Sequence, residues 1–112
     1  MEYHTLTAVQ DALDSEETSC EQLVSFYLDT IDEKNDQINA YLSVDGEKAL
    51  NRARELDQQL DRGENPGPLR GLVMGIKDIV CMEGRRVTCG SHMLEEFTSL
   101  YDATAIERLE DA

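Results

Sequence analysis

Apolar residues recur with a helical period over the first half of the chain and gather into short runs over the second. Thr7-Ala8-Val9-Gln10 has the form of a capping box, with Thr7 placed to cap the Gln10 amide, and predicts a short helix fading near Asp14-Ser15. Ser19-Cys20-Glu21-Gln22 repeats the signal. Leu23, Phe26, Tyr27 and Ile31 then share one face of a second helix, with Glu21 in its first turn and Lys34 near its end to suit the dipole. After Asn35-Asp36 the stretch Ile38 to Val44 reads as an irregular or extended connector, and Asp45-Gly46 as a turn. Ala49, Ala53, Leu56 and Leu60 restore the helical period until Gly63, while Arg52, Arg54, Glu55, Asp57 and Asp61 take the other faces. Such stripes serve packing.

Glu64 to Pro68, rich in Pro and Gly, marks the boundary between this helical segment, residues 1–63, and residues 64–112. Leu72-Val73-Met74-Gly75-Ile76 is a short apolar run bounded by turn residues, which predicts a strand buried on both faces and ending at Lys77-Asp78. Val87-Thr88-Cys89 reads as a second extended piece, Ser91 as the cap of a short helix through Met93, Leu94 and Phe97, and Asp102 as the N-cap of a helix carrying Ala105, Ile106 and Leu109. No stop signal follows that helix. The fold class expected is α/β: N-terminal helices leading into the start of a mixed sheet flanked by helices, within a single truncated domain.

Ten Lys and Arg against 24 Asp and Glu leave a net charge of -14, which argues against a nucleic-acid or anionic-membrane surface on these residues. Adaptation to high salt would account for the excess. Cys20, Cys81 and Cys89 are odd in number and far apart, as suits reduced thiols, and with His4 and His92 they lack the spacing of a metal site. No apolar stretch approaches the roughly 20 residues of a membrane span, and Met1-Glu2-Tyr3-His4 does not open a secretion signal, so a soluble cytoplasmic protein is expected.

Lys77 is the candidate for chemistry. A lysine at the end of a core strand is costly as a buried ammonium and can lose its proton to become a base. It can equally pair with Asp78 and do no more than end the strand.

From Pro68 onward the chain resembles the amidase signature family, through Pro68-Leu69, Gly71-Leu72, Gly75-Ile76-Lys77-Asp78-Ile79, Gly84, Thr88, Gly90-Ser91 and Asp102-Ala103. Within that family, Thr88 to Phe97 followed by Tyr101-Asp102-Ala103-Thr104 is most similar to the A subunits of tRNA-dependent amidotransferases. The resemblance implies a Ser-cisSer-Lys triad in which Lys77 is the lysine, a bridging serine relays the proton and a second serine attacks the amide. Both serines belong to a Gly/Ser-rich segment that does not occur in the 35 residues after Lys77. Gly90-Ser91 is not that segment, and Ser91 is read as a cap. The resemblance further implies glutamine as substrate, B and C subunits as partners, tRNA reached through the complex, and ATP and Mg2+ used by the complex but not bound by this segment. Other readings are a different amide hydrolase of the family, or a helical module without catalysis.

Overall fold

Thr5, two residues before the expected cap, opens the first helix of the computed structural model, which describes residues 3–112. Its hydroxyl oxygen accepts the Ala8 N–H at 3.1 Å. The capping-box reading misplaces this start because Gln10, needed as the reciprocal partner, donates its side-chain amide to the Pro68 carbonyl at 2.8 Å. Helix α1 spans Leu6–Asp14 and buries Val9, Ala12 and Leu13. It stops in a Schellman motif: Glu16 takes the left-handed conformation (φ 57°) and the Glu17 N–H reaches the Ala12 carbonyl at 2.9 Å.

Helix α2, Cys20–Ile38, starts at Ser19 as the sequence implies, with the Ser19 hydroxyl accepting the Gln22 N–H at 3.2 Å. It runs as far as Ile38, the first residue of the stretch read as a connector, and ends at left-handed Asn39 (φ 48°), leaving 39–45 irregular as expected. Asn35 does not end it. That side chain reaches out of the helix, accepting the Tyr41 N–H and donating to the Tyr41 carbonyl, both at 2.9 Å, and so holds the connector instead of competing with the helix backbone. Lys34 therefore lies outside the last turn. Helix α3, Gly46–Asp61, is capped by Asp45 and closed by Gly63 (φ 73°) in a second Schellman motif, with Gly63 N–H to Leu60 and Glu64 N–H to Gln59.

These three helices share one core: Val9 and Leu13 from α1, Cys20, Leu23 and Val24 from α2, and Ala53 from α3. Leu28, Ala49, Leu50, Leu56 and Leu60 complete it. The loop after α3 returns to α1, where an Arg70 guanidinium nitrogen meets both Asp14 oxygens at 2.7 and 2.8 Å and Gly71 lies against Val9 and Leu13. All of this falls in one compact unit, Met1–Val73.

The second unit, Met74–Ala112, corrects the expected sheet. Among the described residues no strand forms, and residues 72–77 are irregular with Leu72, Val73, Met74 and Ile76 exposed. An apolar run is a strand only when another chain segment takes its hydrogen bonds, and residues 3–112 supply none here. The second extended piece contributes a single antiparallel bridge, Arg86 to Thr98. Beside it, Ser99 is 1% exposed: its N–H donates to the Arg85 carbonyl, its carbonyl accepts the Gly84 N–H, and its hydroxyl donates to the Tyr101 carbonyl at 2.7 Å. Ser91 caps the single 3-10 turn His92–Leu94. Helix α4, Thr104–Asp111, begins after Ala103 without a side-chain cap. Asp102 is drawn away, because its carboxylate accepts the Glu83 N–H at 2.7 Å.

Candidate active site

Lys77 ends the irregular segment with its side chain exposed, so the burial expected of a lysine closing a core strand is not met. Its carbonyl accepts the Val80 N–H at 3.0 Å, which makes Lys77 the first residue of a tight turn.

Asp78 is hydrogen-bonded to a loop ten residues further on. One carboxylate oxygen accepts the Thr88 N–H at 2.9 Å, the other accepts the Thr88 hydroxyl in a short hydrogen bond, and the Asp78 carbonyl accepts the Cys89 N–H at 3.0 Å. The Thr88 hydroxyl in turn accepts the Gly90 N–H at 3.2 Å. The bond from the Thr88 hydroxyl holds the Asp78 carboxyl below the usual carboxylate range, helped by the Thr88 and Gly90 amides and the nearby Lys77 charge against a smaller opposing effect of burial. Asp78 is thus a charged acceptor that ties two loops together. The simple reading, an ion pair with Lys77, is replaced by a hydrogen-bonded clamp on Thr88.

Sequence reasoning saw Asp78 and Thr88 but not their union. A side-chain contact across ten loop residues leaves no periodic trace, and the only hint was that both types favour local backbone hydrogen bonds.

Ser91 is occupied as a cap, its hydroxyl oxygen accepting the Met93 N–H at 3.2 Å. His92 is fully exposed, with Nδ1 3.9 Å from Glu95. His4 lies in the other unit, on a shallow cleft of about 180 Å³ shared with Tyr3, Tyr27 and Gly71. The three cysteines are free, and Cys20 is buried with its thiol pushed up to about 12, by burial first and then by the Asp57 carboxylate. No helix among the described residues is long and apolar enough to cross a membrane.

The amidase family model matches residues 22–112. A protein of Salinibacter ruber, named as the A subunit of glutamyl-tRNA(Gln) amidotransferase, is 57% identical over 112 residues, all of this chain and 22% of the relative. The protein of that name from Chlorobaculum parvum is 46% identical over 114 residues, again all of this chain and 24% of the relative. The chain thus spans about a quarter of the length of the curated relatives it matches. Among solved structures, a chain described under "An unexpected vestigial protein complex reveals the evolutionary origins of an s-triazine catabolic enzyme", in an inhibitor-bound complex, superposes with a TM-score of 0.90 at 28% identity. That match covers 96% of this chain and 24% of the other. With the family model covering four fifths of the sequence, including Lys77, Asp78 and Thr88, this chain belongs to the amidase family.

Proposed function

We propose that the chain is part of the glutamine-hydrolysing A subunit of a tRNA-dependent amidotransferase, with Lys77 as the base of a Ser-cisSer-Lys triad. The observation that carries the reading is the 57% identity, over the whole chain, to a protein bearing the name of such an enzyme's A subunit.

In this reading a serine hydroxyl attacks the glutamine side-chain carbonyl while a bridging serine takes its proton and passes its own to neutral Lys77. The carbon–nitrogen bond breaks, ammonia leaves with a proton returned by the same relay, and water hydrolyses the glutamyl ester. A serine needs such a base because its hydroxyl is a weak nucleophile near neutral pH. Both serines belong, in this reading, to the length of the relatives that this chain does not span. Ammonia then passes to the B subunit, and the C subunit completes a cytoplasmic complex.

A charge of -14 directs tRNA to other parts of that complex. ATP and Mg2+ belong, in this reading, to the whole complex and are bound outside this segment.

The test uses the complete amidotransferase. Lys77→Ala lowers glutamine-dependent amidation by roughly 10³-fold or more, as loss of one member of a nucleophile–base unit does. Lys77→Arg fails nearly as badly, because a guanidinium does not give up its proton. Amidation from added free ammonia persists in both variants. Near-normal glutamine-dependent activity in Lys77→Arg overturns the assignment of the base. Turnover of small amides with none of glutamine points to a different hydrolase of the family.

A further inference from the structure

The segment that delivers Lys77 has no backbone anchorage of its own. Among the described residues, the amides and carbonyls of 73–76 make no hydrogen bond. Past Leu72 the chain is first held at the Lys77–Val80 turn and at Asp78.

Asp78 is held at three atoms: both carboxylate oxygens by Thr88, and its carbonyl by the Cys89 N–H. Holding side chain and main chain together fixes the backbone at Asp78 and therefore the position of the preceding Cα. The other end of the clamp is firm. Thr88 follows Val87, which is 4% exposed and bonded to the Phe97 carbonyl. The Gly90 N–H occupies a lone pair of the Thr88 hydroxyl and leaves its proton to point at Asp78.

We propose that Thr88, acting through Asp78, is a positioning residue that sets the place of Lys77 in the catalytic centre. The inference rests on the glutaminase reading above and deepens it. A lysine side chain is long and flexible, so an error at its Cα is carried to Nζ, and a misplacement of about 1 Å at a reacting group can cost on the order of 10²-fold in rate. Thr88 touches neither substrate nor Nζ in this scheme, so its loss slows the chemical step more than it weakens glutamine binding.

Thr88→Val tests this in the complete, assembled enzyme, because valine keeps the shape and the N–H while removing the hydroxyl. We expect kcat for glutamine to fall about tenfold or more with KM changed less than about threefold. Ammonia-driven amidation and Tm stay near wild type, and Thr88→Ser, which restores the hydroxyl, recovers most of kcat. Unchanged kcat in Thr88→Val overturns the proposal, as does a fall in glutamine- and ammonia-driven rates that tracks a fall in Tm. Lys77→Ala run in parallel separates the two levels. If it is inactive with glutamine while Thr88→Val is not impaired, the glutaminase reading stands and the positioning role fails. If Lys77→Ala remains active, both fail.

Discussion

Gly71 and Glu16 occupy the same region of backbone space for opposite reasons. At Gly71 (φ 81°) a Cβ would stand 2.7 Å from Leu13 Cδ1 and 2.8 Å from Val9 Cγ1, so conformation and packing both demand glycine. Glu16 (φ 57°) is exposed at the end of α1, where only the backbone is strained. Gly71→Ala should therefore lower stability by about 2–4 kcal/mol, from left-handed strain plus overpacking of the core. Glu16→Gly should raise it by about 0.5–1 kcal/mol. Denaturant midpoints of the two variants check both signs, and a neutral Gly71→Ala would contradict the docking of the 64–73 loop on α1. The sequence marked Gly71 as a turn residue but not its contact with α1, whose partners lie some 60 positions earlier. Glu16 left no mark, because glutamate is not a residue that signals a left-handed stop.

Of the helix starts, that of α2 was legible from its local cap, that of α1 was read two residues late, and the contribution of distant side chains was not legible. Ser19 could be read directly, since its bond reaches only three residues on. Asp57 could not: from α3 it accepts the Cys20 N–H at 2.7 Å and the Glu21 N–H at 3.0 Å, satisfying two amides of the first turn of α2 that Ser19 does not reach. Asp57→Ala should cost about 1–3 kcal/mol by leaving both amides unpaired, seen as a lower midpoint in chemical denaturation. The same junction sets an alkaline limit. The Cys20 thiol is raised from 9.0 to about 12 in the folded chain, so the unfolded chain releases its proton first. The associated stability is complete below pH 9 and is lost as pH rises toward 12. Stability measured across that window should fall, and less steeply in Cys20→Ala. Asp102 shows the converse, a good cap residue by type diverted to the Glu83 amide by a partner 19 positions away.

At the scale of the molecule, charge and surface follow from composition, while architecture depends on what lies next to each segment. The net charge of -14 repels itself, whereas the exposed pairs Arg54–Glu21, Arg52–Glu55 and Arg62–Glu64 contribute little. Screening the first effect outweighs weakening the second. Raising salt from about 0.05 M to about 1 M, where the screening length is about 3 Å, should raise Tm, and a flat or falling Tm would contradict this. The helical unit was legible because 3.6-residue stripes are local and meet each other within residues 3–73. The expected sheet was not realised because a strand is a relation between segments, and among the described residues 72–76 has no strand partner. The short span of the Asp78–Thr88 clamp has a temporal consequence for the proposed enzyme. The clamp joins residues only ten positions apart and can form as soon as both are made, whereas the two serines of the proposed relay come from another length of the protein. A half-made chain would then hold its proton acceptor in register and still be unable to use it, so no glutamine would be wasted before the ammonia has somewhere to go.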